Sequence, residues 1–280
     1  MLKLVDLTKK YGDLTAVNKL NLTIESGEFF GLLGPNGAGK TTTVRMISTI
    51  TPKTSGDIII DEVSMDRNLT AIKIKIGVVP QQNNLESEMT AWENLEVHGL
   101  IYKMPKEKRR EKIEEILHYT DLYDRKDDLV SKFSGGMKRK LMIARALMHE
   151  PEILLLDEPS VGLDASWRRK MWDLLKKLKA SGLTVLLTTH YIEEAEVLCD
   201  RVGLINGGEL VELDSPRNLI KKVGEFTVEN FVNGITTEEF FNSREEAVAY
   251  ASGLEGSVNI RPSNLEDVFL KLTNRRVEPK

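Results

Sequence analysis

One run of residues, Gly34-Pro35-Asn36-Gly37-Ala38-Gly39-Lys40-Thr41 followed by Thr42, constrains this chain more than any other. It fits the phosphate-binding loop pattern G-x-x-x-x-G-K-[ST] at every fixed position. The flanks agree. Glu28 to Leu33 is a short apolar run between glycines, as a buried strand is, and Lys40 to Ile50 carries Val44, Ile47 and Ile50 as a helix would. A strand, a glycine-rich turn and a helix start aim backbone N–H groups at one point, where the helix dipole adds positive potential. Side chains in place of the glycines would keep the backbone from closing round a phosphate. The spacing predicts that Lys40 reaches the β- and γ-phosphates and that the Thr41 hydroxyl meets Mg²⁺.

A buried sheet is legible around that loop. Leu2 to Val5, Leu20 to Ile24, Ile58 to Ile60 and Ile76 to Pro80 read as strands. Lys10-Tyr11-Gly12-Asp13 is a turn whose aromatic either stacks on a purine or packs on its own sheet. Gln81 puts an amide just past a buried strand. Ile153-Leu154-Leu155-Leu156-Asp157-Glu158-Pro159 is an aliphatic run ending in two carboxylates. In an open α/β sheet such strand ends face the ligand, which suits Asp157 to Mg²⁺ and Glu158 to orienting or deprotonating a water. Thr184 to Thr188 is a further buried strand, followed by His190, which can donate to a γ-phosphate. Val202 to Ile205 and Glu209 to Val211 straddle Asn206-Gly207-Gly208, a hairpin signal.

Residues from about Asn84 to His149 read instead as strongly helical, an insertion into the α/β core. Ser134 is a natural N-cap for a helix running through Met148, and Ser134-Gly135-Gly136 is either a second anion site or an ordinary cap. Asp164 is a loop carboxylate, a cap for a helix over Ala165 to Lys179, or both. Beyond about Lys221 the chain predicts a strand over Phe226 to Val232, a helix over Glu238 to Ser252, a short strand at Val258 to Ile260 and an amphipathic helix over Asn264 to Leu272.

Composition excludes several classes. Of 280 residues, 41% are apolar and 29% charged, enough for a packed core, and the formal net charge of −4 argues against a nucleic-acid coat. The basic run Lys106 to Arg110 is interleaved with glutamates and reads as a solvated helix face. A single cysteine, Cys199, excludes an internal disulfide framework and a cysteine-built zinc site, and reads as a small buried apolar residue. No apolar run approaches the ~20 residues that span a bilayer, and no signal-peptide core is found, so a cytosolic chain is expected.

In this order, the phosphate loop, the amide strand end, the Ser-Gly-Gly helix start, the Asp-Glu strand end and the histidine make the chain resemble the ATPase subunits of ABC transporters, from about Met1 to Leu219. Within that family it resembles the drug-exporter branch of the daunorubicin-resistance and sodium-efflux ATPases. Ser134-Gly135-Gly136-Met137-Lys138-Arg139, Glu158 to Asp164 and Asn264 to Leu270 carry that likeness. Phe133, Met137 and Ala165 depart from the usual Leu, Gln and Pro.

The resemblance implies a P-loop α/β fold with an antiparallel β subdomain, a helical subdomain and a small C-terminal extension. It implies an ATPase domain over 1–220, with 84–149 helical within it, and an α+β extension over 221–280. It makes Gly34 to Thr42 the Walker A loop, Gln81 the Q-loop residue and Ser134 to Met137 the signature motif. Asp157 and Glu158 become the Walker B pair, Asp164 the D-loop carboxylate and His190 the switch histidine, and Tyr11 is assigned to adenine stacking. Glu158, His190, Gln81 and Lys40 are then catalytic, while Thr41, Gln81 and Asp157 hold Mg²⁺. ATP lies between the Walker A loop of one copy and Ser134, Gly135, Gly136 and Asp164 of another. A second cassette and a membrane permease are the implied partners, placing the chain at the inner face of the membrane. The alternative from another class is a soluble ABC ATPase, for example in cofactor assembly, acting on a cytosolic partner.

Overall fold

The computed structural model describes residues 1–273. At its centre lies Phe29–Leu33 (β3), buried at every position and hydrogen-bonded on both sides. The chain reaches it through Leu2–Tyr11 (β1) and Leu14–Ile24 (β2), and leaves it through the glycine-rich loop into Lys40–Ile47 (α1). Ser55–Ile60 (β4), Val63–Ser64 (β5), Leu69–Ile74 (α2) and Ile76–Val79 (β6) follow. Helices then dominate, with Ala91–Ile101 (α3), Lys106–Tyr119 (α4) and Gly135–Leu147 (α5). The core resumes with Ile153–Asp157 (β7), Ala165–Ala180 (α6), Thr184–Thr189 (β8), Ile192–Leu198 (α7), Arg201–Asn206 (β9), Glu209–Asp214 (β10) and Pro216–Val223 (α8). The last elements are Phe226–Val232 (β11), Ile235–Phe241 (β12), Arg244–Ala251 (α9), Ser257–Pro262 (β13) and Leu265–Thr273 (α10).

The strands form three sheets. The main one has the order β10-β9-β3-β8-β7-β6, parallel except for the β9–β10 hairpin. Its strands are near-continuously aliphatic because both faces are covered. Successive side chains serve different layers: Phe29, Leu33, Leu154, Leu156, Val185 and Leu187 pack with α5 and α6, whereas Phe30, Leu32, Ile153, Leu155 and Leu186 pack with α1 and the antiparallel sheet. That second sheet has the order β2-β1-β4-β5. The third, β12-β11-β13, is antiparallel, and α10 returns from it to the core, where Leu265 and Val268 are buried and the Leu265 N–H donates to Glu196 Oε1 at 2.8 Å.

One expected helix is partly a strand. The span Glu238 to Ser252 divides, with Glu238 to Phe241 belonging to β12 and the helix confined to Arg244–Ala251, capped by Ser243. Asn233 and Gly234 both take positive φ, 52° and 82°. An Asn-Gly turn of that kind joins β-strands, and Thr236, Thr237, Phe240 and Phe241 are strand formers that pair with β11. The short α2 begins at an Asn68 cap, whose side chain accepts from the Ala71 N–H. Strand β1 extends well past Val5, through an irregularity at Asp6, whose φ is 46°. Cys199 is buried as expected.

Candidate functional site

The site forms where β3, β6, β7 and β8 end. Backbone crowding dictates two of the loop glycines. A Cβ on Gly34 would lie 2.2 Å from the Ile205 carbonyl oxygen, and one on Gly39, which holds φ +106°, 2.6 Å from the Ala16 carbonyl oxygen. Gly39 is the N-cap of α1, so the first amides of the helix face the loop's concavity. Lys40 is buried beneath, and its Nζ donates to Gly34 O at 2.7 Å and Pro35 O at 3.0 Å. Burial pulls its pKa down, opposed by the carboxylates of Glu158 and Asp157.

The facing wall is built by β7 and β8. Asp157 Oδ1 accepts from Thr188 Oγ1 at 2.6 Å and from Thr41 Oγ1 at 3.1 Å, so the carboxylate of one motif is tied to the hydroxyl of the other. Glu158 takes φ +48°, uncommon for a side chain of its size, and its N–H is held by Thr188 O at 3.0 Å. The turn aims its carboxylate across the cleft. Gln81 Nε2 donates to Glu158 Oε2 at 3.1 Å, while His190 Nδ1 and Lys40 Nζ stand 3.4 and 3.7 Å from Oε1. One carboxylate is thus met by three of the groups singled out from sequence. The cavity between the walls is about 250 Å³, lined by Ala16, the loop from Asn36 to Thr42, Gln81 and Glu158. Such a pocket can hold a phosphate chain against N–H groups and a lysine, beside a carboxylate placed to take a proton.

The other candidates lie outside that lining. Ser134 caps α5, its Oγ accepting from the Met137 N–H at 3.3 Å. Gly135 is open to solvent, whereas Gly136 is covered: a Cβ there would lie 2.3 Å from the Trp167 indole. Asp164 Oδ1 accepts from the Trp167 N–H at 2.9 Å, so it is the N-cap of α6. Tyr11 stands on the β1–β2 hairpin, 46% exposed, with Lys9 Nζ 4.7 Å from its ring centre.

Sequence reasoning missed four residues. Ala16 lines the cavity through the hairpin strand opposite Tyr11. Thr188 aligns both acids. Trp167 roofs Gly136. Arg139 inserts between the loops and donates to carbonyls of Asp157, Pro159, Pro80 and Gln81. Arg139 belongs to the Ser134-to-Arg139 run, but its carbonyl partners are distant in sequence and carry no side-chain signal.

Comparison with known proteins gives one answer at three levels. The model of the ABC transporter family matches residues 17–161. The chain is similar to the linearmycin resistance ATP-binding protein of Bacillus subtilis (strain 168), at 37% identity over 98% of this chain and 99% of that protein. It is similar to the Nod factor export ATP-binding protein I of Rhizobium meliloti (strain 1021), at 40% identity over 97% of this chain and 88% of that one. Among solved structures, a dimeric, post-hydrolysis ATP-binding cassette bound to ADP and Pi is 36% identical, with a TM-score of 0.69 over 77% of this chain and 98% of that one. An ATP-binding subunit of an ABC transporter, 23% identical, shares the fold over 98% of this chain with a TM-score of 0.74.

Proposed function

We propose, from the premise that this chain belongs to the ABC transporter family, that two copies close head to tail on two ATP molecules and that this closure drives an exporter. The chain is an ATP-binding subunit of export type and an ATPase. The export relatives, matched over nearly the whole chain, set aside the non-transport alternative. On our reading the ATPase unit spans 1–220, with 84–149 as its helical part, and 221–280 is an extension. No helix among the described residues is long and apolar enough to cross a membrane. On the family reading, a permease subunit supplies the spanning part and holds this chain at the inner membrane face.

The observation that carries the reading is the Glu158 carboxylate, met by Gln81, His190 and Lys40 at the mouth of the loop cavity. The loop amides and Lys40 hold the β- and γ-phosphates. Glu158 accepts the proton of the attacking water, Gln81 orients that water, and His190 donates to the γ-phosphate. Thr41 and Asp157 fit Mg²⁺, because their oxygens are adjacent and hard oxygen donors suit that ion; Gln81 completes the set we assign. The described residues contain no cluster of three or more His, Cys, Asp or Glu that would cage a metal. When bound, Mg²⁺ neutralises charge on the β- and γ-phosphates. Ser134, Gly135, Gly136 and the Asp164 loop of one copy complete the site of the other, and Tyr11 stacks on adenine.

The test is Glu158→Gln, assayed for hydrolysis and, by gel filtration with light scattering, for mass with and without MgATP. The expected variant binds ATP, hydrolyses it at least about 100-fold more slowly and accumulates as a dimer with MgATP. Unchanged turnover would remove Glu158 from the reaction. A monomer that binds ATP would remove self-pairing.

A further inference from the structure

The guanidinium of Arg139 is a junction among the loops that form the site. It lies on the second turn of α5, five residues past Ser134, and is buried. Its Nε donates to Pro159 O at 2.8 Å and its Nη2 to Asp157 O at 2.8 Å, while Nη1 donates to Pro80 O at 2.5 Å and to Gln81 O at 3.3 Å. These carbonyls belong to the end of β6 that carries Gln81, the end of β7 that carries Asp157 and Glu158, and the first residue of the loop to Asp164. An arginine offers five N–H donors in one rigid plane, so the three segments are held in a fixed relation. Sliding one of them breaks a hydrogen bond of a buried guanidinium, at a cost in free energy. Burial lowers the guanidinium pKa to about 10, against the pull of Asp157, Glu194 and Glu158, and the group keeps its charge at neutral pH.

The same helix has a second face to the chemistry. Its open start, Ser134-Gly135, is about 7.5 Å along the axis from Arg139. In the paired reading above, on which this inference rests, that start meets the nucleotide held by the other copy, whereas Arg139 grips the loops serving the nucleotide of its own copy. We propose that Arg139 is a positioning residue that couples the two nucleotide sites: movement of α5 when its start engages one ATP passes through the guanidinium to Gln81 and Asp157–Glu158 of the other site. Helix α5 is the rigid element and the carbonyl fork is its linkage, so coupling is carried by contact along one connected path.

The experiment uses the full chain with Arg139→Lys and Arg139→Gln. ATP affinity is read with a fluorescent nucleotide analogue, and hydrolysis is followed against ATP concentration. The expected result is analogue affinity within about twofold, a kcat at least about tenfold lower, and a Hill slope falling from about two in the unmodified protein toward one. Lysine keeps the charge without the fork, so it should not rescue. A Hill slope of one in the unmodified protein, or a folded Arg139→Lys protein with unchanged slope and kcat, overturns the inference. Should neither variant fold, amide hydrogen exchange in Glu158→Gln decides. Protection at Gln81 to Asn83, at Val161 to Leu163 and at Gly135 to Met137 should rise at one ATP concentration, and separate midpoints overturn the proposal. Failure of Glu158→Gln to pair with MgATP overturns the two-copy reading and this inference with it, whereas pairing with an unchanged Hill slope overturns this inference alone.

Discussion

Two glycine-rich helix starts in this chain look alike and are built for different ends. The start of α1 is enclosed: Gly34 and Gly39 are pressed against backbone, Lys40 lies under the loop, and Thr41, Gln81 and Glu158 line one cavity, with Asp157 bonded to Thr41 beside it. The start of α5 is turned outward. Ser134 and Gly135 are exposed, and the packing beneath them is the Trp167 indole on Gly136. An enclosed start with its lysine and acids can hold a phosphate chain. An exposed one, with amides and a hydroxyl, can only complete a site brought to it. The difference supports the proposal that the two starts serve different nucleotides in a pair of copies.

The most severe way to break that comparison is Lys40→Ala. Removing the buried ammonium from a cleft that also holds Asp157 and Glu158 leaves the phosphates facing uncompensated acids. ATP affinity measured by calorimetry should fall at least about 100-fold, or about 2.7 kcal/mol. Retained affinity would mean that the enclosed start is not the anchor. Next in size is Gly136→Ala, contrasted with Gly135→Ala. The new methyl at 136 meets the indole at 2.3 Å, an overpacking that costs about 1–3 kcal/mol, while the one at 135 meets open space. The thermal midpoint should drop by several degrees for the first and hold or rise for the second. Equal effects would show that the roof over Gly136 does not set its identity.

What could be read in the sequence follows the same line. The enclosed start was legible because its chemistry is local: glycines, lysine and hydroxyl lie within one turn of each other, and Asp157-Glu158 close an unbroken aliphatic run. The cap roles of Ser134 and Asp164 were legible for the same reason. The residues that bind the halves into one machine were not. Arg139 acts on backbone carbonyls, which every residue has. Trp167 reveals its role only through its contact with Gly136, and Ala16 only because β2 is folded against the loop. In the last part of the chain, the helical reading of Glu238 to Phe241 yielded to strand pairing, although the Asn233-Gly234 turn marks a hairpin.

A gentler probe of the outward start is Ser134→Ala. Losing the cap to the Met137 N–H costs about 1 kcal/mol of stability. ATP affinity of the single copy should be unchanged, while ATP-driven pairing of the Glu158→Gln background should weaken. Loss of single-copy affinity would put Ser134 in the enclosed site and erase the contrast.

The smallest expected effect separates the two regions by pH. His98 on α3 and His149 just past α5 lie 3.4 Å apart, and His149 meets Ile76 O at 3.1 Å. Burial pulls the His98 pKa down to about 3, with His149 and Arg145 adding to the pull, and burial lowers that of His149 as well. The folded protein therefore keeps His98 neutral while the unfolded chain takes up a proton near pH 6.5. Its contribution is whole above about pH 6.5 and is lost as pH falls from there toward about 3. Between pH 7 and pH 6 that linkage removes about 0.7 kcal/mol for one such histidine. Thermal midpoints at the two pH values should differ by a degree or two, and His98→Gln should narrow the gap. The loss belongs to the helical packing behind the outward start, and the imidazoles lie outside the loop cavity. Calorimetric ATP affinity of the folded chain should therefore be alike in the unmodified protein and in His98→Gln at each pH; a difference would tie the two starts together within one copy.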